Sequence, residues 1–90
     1  MRIINKHNEV VPFDFKKLKK SIFGAFEDAN FSYTEGDLDL VSKGAEDILK
    51  EITNDCRSAS YDELINSVVK SLNNNGFKSI ALAYEKIYKL

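Results

Sequence analysis

The chain has 90 residues, a length typical of one domain, and we expect a single domain over residues 1–90. Hydrophobic residues make up 43% of it and charged residues 30%, which fits a folded globule and excludes a disordered or low-complexity segment. One cysteine and one histidine exclude an intramolecular disulfide and a zinc site built from these residue types.

The basic side chains are concentrated near the N-terminus, although the formal net charge of the whole chain is −1. Residues 1–20 carry six bases and two acids, a charge of +4, whereas the remaining residues carry seven bases and twelve acids, a charge of −5. We therefore expect an anionic ligand to bind near the N-terminus. The low overall charge and the lack of a basic-aromatic motif argue against a nucleic-acid partner.

No apolar run is long enough to cross a bilayer, which takes about 20 helical residues. Residues 1–11 carry Arg2 and Lys6 and lack the continuous apolar centre of a signal peptide. We expect a cytoplasmic protein with no membrane partner.

The first predicted element is a β-hairpin near residues 2–13. Its two segments are rich in β-branched residues and flank His7 and Asn8, where the turn is expected. Pro12 has no backbone N–H, so the second strand should lie at a sheet edge. A hairpin alone is marginal, so it should pack against the helices that follow.

Two helices are predicted next. Asp14 is the expected N-cap of the first, over about residues 14–29, since apolar residues follow at four-residue spacing. After a polar break over residues 30–36, Asp37 or a near neighbour should start the second. The expected apolar face of the second helix is Val41, Ala45, Ile48, Leu49 and Ile52.

Two more helices complete the predicted fold. After a short extended piece at residues 57–59, Ser60 and Glu63 form a capping-box pattern that should start the third, and an asparagine run before Gly76 should end it. The fourth should begin near Phe77 and run to Leu90 without a stop signal, which predicts a natural polypeptide that continues further. The predicted fold class is α+β, with six residues sharing one core: Ile22, Phe26, Ile48, Leu64, Val68 and Ile80.

The most informative segment is residues 6–18, Lys-His-Asn-Glu-Val-Val-Pro-Phe-Asp-Phe-Lys-Lys-Leu. It resembles the opening of the ATP-cone family, nucleotide-binding regulatory domains found at the N-terminus of many ribonucleotide reductases and in a bacterial repressor of their genes. Members typically open with Lys-Arg-Asp-Gly, then Val-Val-Pro-Phe-Asp, then a helix with a lysine in its first turn. Residues 60–64 and 81–84 are similar to the family's third-helix start and its closing Ala-x-Ala-Tyr signature. The resemblance implies a small hairpin packed on a four-helix bundle.

The resemblance also implies a binding site for ATP or dATP as an effector, with any Mg²⁺ arriving on the nucleotide. Ile4 would line the adenine pocket, Tyr61 and Ile65 would edge it, and Asp14 would bond the nucleoside. It implies no catalytic residue and no metal ligand in this chain.

Four further residues would face the phosphates or close the site. The resemblance assigns Lys6, His7 and Lys17 to the phosphates and Lys89, on the last helix, to the closing position. A polyphosphate needs several cationic donors, preferably near helix N-terminal amides, and packing of the first strand on the first helix would bring Lys6 and Lys17 toward one pocket. Without the resemblance, Asp14 is sufficiently explained as a helix cap, and the lysines of residues 16–20 as a solvated helix face.

No motif for catalysis is present, such as a phosphate-cradling loop or a nucleophile elbow, so the chain is not expected to be an enzyme by itself. The resemblance implies an allosteric domain of a ribonucleotide reductase, whose partner is the catalytic domain or subunit and whose oligomeric state depends on nucleotide. Two alternatives remain open. His7 stands where relatives have arginine and the turn lacks their glycine, which is typical of a degenerate cone that binds proteins and no nucleotide. The N-terminal bases leave a nucleic-acid-binding fragment as the third interpretation.

Overall fold

The computed structural model describes residues 1–89, and within them an antiparallel hairpin precedes four helices, as predicted for the α+β class. The elements are β1 (Arg2–Ile4), β2 (Val10–Pro12), α1 (Phe15–Asp28), α2 (Glu35–Thr53), α3 (Tyr61–Asn74) and α4 (Lys78–Tyr88). The predicted extension of the last helix to Leu90 falls outside the described residues. Over the described part of the chain, no helix is both long and apolar enough to cross a membrane.

The hairpin is joined to the helices through β1. Ile3 pairs with Val11 in β2, and on its other side it forms a parallel bridge with Ala59, in the short extended piece predicted before α3. β1 therefore lies between two neighbours and β2 lies at the edge, as the missing N–H of Pro12 predicted. This arrangement places the end of β1 beside the start of α3.

Side-chain caps set the starts of the first three helices. The carboxylate of Asp14 accepts the Lys17 N–H at 3.1 Å, which confirms the predicted cap of α1. α2 begins slightly earlier than Asp37, because the Thr34 hydroxyl accepts the Asp37 N–H while the Asp37 carboxylate accepts the Thr34 N–H. Asp37 thus takes part in the cap as the third helical residue. Ser60 caps α3 as predicted.

The main core gathers residues from all four helices of the described chain, including Ile22, Phe26, Val68 and Ile80 from the predicted set. Leu64 is partly buried and packs against both this core and a smaller one that contains Ile3. The predicted apolar face of α2 is confirmed for Val41, Ala45 and Leu49 and wrong for Ile48 and Ile52. Its fully buried residues include Leu38, Val41, Ala45 and Leu49, whereas Ile48 is only half-buried and Ile52 is 46% exposed. The buried stripe follows the spacing of three and four residues that a helix requires, and Ile48 and Ile52 lie beside it.

Candidate functional site

A cleft of about 750 Å³ lies where the hairpin, the start of α3 and the end of α4 meet. This volume falls within the range of roughly 300–1,000 Å³ that is usual for small-molecule sites. The lining residues are Ile4, Asn5, Lys6 and Asn8 from the hairpin, Ser60, Tyr61 and Asp62 from the start of α3, and Ile87, Tyr88 and Lys89 from the end of the chain's last helix. Three separate elements therefore contribute to one site.

The hairpin turn is held by the side chain of Asn5. Its Oδ1 accepts the backbone N–H groups of His7 at 2.9 Å and Glu9 at 3.0 Å, and its Nδ2 donates to Glu9 Oε1 at 3.1 Å. Asn8 has a φ of 63°, a left-handed conformation that asparagine tolerates better than most residues. The turn therefore forms without glycine, and it places Lys6 and Asn8 at the cleft.

The α3 wall of the cleft is fixed by a reciprocal cap. The Ser60 hydroxyl accepts the Glu63 N–H at 3.1 Å, and Glu63 Oε1 accepts the Ser60 N–H at 2.9 Å. Hydrogen bonds from the Arg57 side chain and from the Ser60 backbone lower the pKa of Glu63 to about 2. The carboxylate is therefore ionised at any ordinary pH, and Ser60 and Tyr61 are held at the cleft.

Three tyrosines connect the cleft to the core. The Tyr61 hydroxyl donates to the Tyr88 carbonyl at 3.2 Å, and the Tyr88 ring lies 4.5 Å from the Tyr84 ring between centroids. Tyr84 is 2% exposed, and its hydroxyl shares a 2.9 Å hydrogen bond with the Ser21 hydroxyl of α1. Burial raises the pKa of Tyr84, so the phenol stays neutral. The end of α4 is thus bound to both α3 and α1.

The cleft brings together half of the residues that the family resemblance indicated. Ile4, Lys6, Tyr61 and Lys89 all line it. Lys6 comes from the hairpin and Lys89 from the C-cap of α4, so two cations approach from different elements. In this structure Lys89 Nζ lies 3.5 Å from Glu85 Oε2, one turn earlier on the same helix.

The other four predicted residues lie outside the cleft lining. His7 is exposed at the hairpin turn, and Lys17 is exposed in the first turn of α1, next to the cap that Asp14 provides. Ile65 is 1% exposed and belongs to the main core. It lies one helical turn beyond Tyr61, on the same side of α3.

Sequence reasoning missed the lining residues Asn5, Asn8, Ser60, Asp62, Ile87 and Tyr88 as parts of the site. Some carried a signal. Ser60 was recognised as a cap, and a cap lies at the helix end that can face a ligand. Tyr88 is half-buried at the end of α4, whereas Tyr84, one turn earlier, is fully buried.

Not all of the N-terminal lysines have the same surroundings. Lys19 lies 2.7 Å from Asp39 Oδ1 and also contacts the Glu35 carboxylate, so two acids of α2 balance its charge. Within residues 1–89, no group of three or more histidine, cysteine, aspartate or glutamate side chains could hold a metal ion.

A family model described as the ATP cone domain matches residues 1–89. The chain belongs to the ATP-cone family. A comparison with curated proteins found no match. ATP cones in general bind adenine nucleotides and serve allosteric regulation, and the domain is regulatory and not catalytic. The match spans both the hairpin and the end of α4, the two parts of the chain between which the cleft lies.

Proposed function

We propose that this ATP cone binds ATP or dATP in the cleft between the hairpin, α3 and α4, and that nucleotide binding regulates a ribonucleotide reductase allosterically. The observation that carries the proposal is the meeting of Ile4, Lys6, Tyr61 and Lys89 in one cleft. The resemblance to the ATP-cone family implies a nucleotide-binding role for each of these four residues. They come from the hairpin, the start of α3 and the end of α4, so their meeting is not a consequence of sequence proximity.

The apolar part of the cleft suits a purine base. Ile4 and the ring of Tyr61 are half-buried at its lining, and Tyr88 adds a second aromatic ring. Flat aromatic surfaces next to an aliphatic side chain favour a planar base through stacking and burial. We assign Ile65 a supporting role, because it lies in the core one turn from Tyr61.

The cationic part suits the phosphates. We assign Lys6 and Lys89 to the first contacts, since both line the cleft. Lys17 is exposed in the first turn of α1 and His7 is exposed on the hairpin turn, and we propose that they meet the phosphates that extend out of the cleft. Asp14 would bond the nucleoside in addition to capping α1. Mg²⁺ would enter as the counter-ion of the nucleotide.

Regulation would follow from differential affinity. A nucleotide that binds one arrangement of the reductase better than another shifts the population toward that arrangement, and it also shifts oligomeric assembly if the arrangements differ in subunit contacts. The reaction itself would take place on the reductase's catalytic domain or subunit. In this proposal the chain is a cytoplasmic sensor.

Calorimetric titration with ATP, dATP and GTP tests the proposal. We expect ATP or dATP to bind more tightly than GTP, and Lys6→Ala to weaken binding about tenfold, as for one lost charge-assisted bond to phosphate. The matched control is Lys78→Ala, an exposed lysine at the opposite end of α4 from the cleft, which should leave affinity unchanged.

The same titration distinguishes the alternatives. Absence of binding at millimolar nucleotide with Mg²⁺ would refute the proposal and favour the degenerate cone that acts as a protein-interaction module, which the histidine at position 7 supports. Equal weakening by Lys6→Ala and Lys78→Ala would show that nucleotide binds elsewhere.

A further inference from the structure

A bidentate ion pair joins Arg57, in the segment before α3, to Glu63 in the first turn of that helix. Arg57 donates from Nη1 to Glu63 Oε1 and from Nη2 to Glu63 Oε2, each at 2.8 Å, and its Nη1 also donates to the Ser58 carbonyl at 3.2 Å. Two parallel bonds fix the direction of a pair as well as its distance. The residues before α3 are therefore held against the first turn of that helix, although neither partner lines the cleft.

The segment held by Arg57 is also bonded to β1. The Ala59 N–H donates to the Arg2 carbonyl at 2.9 Å, and the Ala59 carbonyl accepts the Ile4 N–H at 2.8 Å. Ile4 lines the cleft, and so does Ser60, the residue that follows Ala59. A displacement of residues 57–59 would thus move the hairpin wall and the α3 wall relative to each other.

Glu63 joins the two sets of bonds at one carboxylate. Its Oε1 accepts from both Arg57 Nη1 and the Ser60 N–H, so the ion pair and the helix cap share an atom. If the guanidinium is lost, the bond from the Ser60 N–H is the remaining restraint on the Glu63 carboxylate. The cap alone would then fix the helix start less firmly.

We propose that Arg57 is a positioning residue for the nucleotide cleft: through Glu63 and Ala59 it holds β1 and the start of α3 in register, so that Ile4 and Tyr61 face the same ligand. The ligand in this inference rests on the proposed function. The restraint itself is a property of the nucleotide-free domain.

Two variants with opposite changes in charge distinguish a positioning role of Arg57 from a direct electrostatic effect on the nucleotide. Arg57→Gln removes a positive charge, whereas Glu63→Gln removes a negative one and keeps an oxygen for the cap, since glutamine also serves at that position of a capping box. Coulomb attraction alone predicts weaker ATP binding in the first variant and tighter binding in the second. Positioning predicts about two- to fivefold weaker binding in both, the size expected for an exposed ion pair. Arg57→Lys should restore affinity only in part, because lysine keeps the charge without the fork.

Amide hydrogen exchange in the nucleotide-free protein measures the restraint directly. We expect the Ile4 and Ala59 amides to exchange about two- to fivefold faster in both glutamine variants, because local opening becomes easier. The matched control is Lys43→Gln on α2, which removes an exposed lysine paired with Glu46 and Asp47 and should change neither exchange nor affinity.

Tighter ATP binding by Glu63→Gln, full restoration by Arg57→Lys, or unchanged exchange at Ile4 in Arg57→Gln would each overturn the inference. If the unaltered chain binds no adenine nucleotide, the proposed function fails instead. In that case the exchange measurement still decides whether Arg57 joins the two walls.

Discussion

Gly44→Ala should destabilise the domain, although the same change in an ordinary helix is favourable. Gly44 lies where α2 crosses α3, and a Cβ at this position would stand 2.5 Å from Ser71 Oγ. Ser71 is 1% exposed, and its hydroxyl donates to the Val41 carbonyl at 2.7 Å. Relief of the overlap requires either a new Ser71 rotamer, which leaves a buried hydroxyl without its acceptor, or a wider separation of the two helices.

The two opposing effects can be weighed. Alanine in place of glycine in a helix contributes about 0.5–1 kcal/mol. An unsatisfied buried hydroxyl costs about 1–3 kcal/mol, and overpacking costs a similar amount. The net loss for Gly44→Ala should be about 1–2 kcal/mol, and each kcal/mol lowers the Tm of a domain this small by about 4–8 °C.

Urea unfolding followed by far-UV circular dichroism gives the free energy of unfolding for each variant. Gly24→Ala is the matched control in α1, where no described heavy atom outside the helix's own backbone lies within 4 Å of the added Cβ, and it should stabilise the domain. Gly44→Ala/Ser71→Ala should be more stable than Gly44→Ala, because the atom nearest to the new methyl is then the residue 71 Cβ at 3.5 Å. A Gly44→Ala protein as stable as Gly24→Ala would refute the close approach of α2 and α3.

Three further outcomes follow from single side chains. Ser42→Ala should leave stability unchanged or raise it in urea unfolding, because the Ser42 hydroxyl is buried and has no hydrogen-bond partner among the described residues; a loss above about 1 kcal/mol would contradict this. Tyr61→Phe should lower the Tm slightly through loss of the bond to the Tyr88 carbonyl while ATP affinity by calorimetry stays within about twofold, since the ring remains; a tenfold loss would instead place the hydroxyl on the ligand. The pKa of Glu63 is lower in the folded than in the unfolded chain, so the stability that its carboxylate contributes is present above about pH 4.5 and is lost as the pH falls toward 2. In urea unfolding over that pH range, the free energy of unfolding should therefore fall less steeply with decreasing pH for Glu63→Gln than for the unaltered chain.

The parts of the fold that sequence predicted well depend on residues a few positions apart. The Asp14 cap and the Ser60 and Glu63 box involve partners three residues away, and the positive φ of 84° at Gly76 follows the end of α3. The start of α2 was predicted at Asp37 or a near neighbour, and Thr34 and Asp37 cap it reciprocally. The Thr34 hydroxyl accepts the Asp37 N–H and the Asp37 carboxylate accepts the Thr34 N–H, which makes Thr34 the N-cap.

Only those site residues that match the pattern of the ATP-cone family could be predicted from the sequence. Ile4, Lys6, Tyr61 and Lys89 were named through resemblance, because no local periodicity links residues so far apart in a chain. Tyr88 joins them through a hydrogen bond between α3 and α4, which depends on how the helices cross. The Arg57 fork was missed for a related reason: it spans an irregular segment whose path a pattern of helices and strands does not specify.

The composition of the cleft ties ligand binding to the folding of the whole domain. Its three walls come from the hairpin, the start of α3 and the end of α4. Each wall is bonded to the rest of the domain: β1 to Ala59, the start of α3 through its cap, and the end of α4 through Tyr61 and the buried Tyr84. Unfolding of any one of these elements would remove part of the site, so a ligand that contacts all three binds the folded state alone. Such a ligand at about 100 times its Kd adds about 2.7 kcal/mol to the free energy of unfolding. Saturating ATP should therefore raise the Tm by roughly 10–20 °C in a domain of this size. A rise that Lys6→Ala abolishes and Lys78→Ala keeps would locate the effect in the cleft, whereas an unchanged Tm at millimolar ATP would mean that the cleft does not hold the nucleotide.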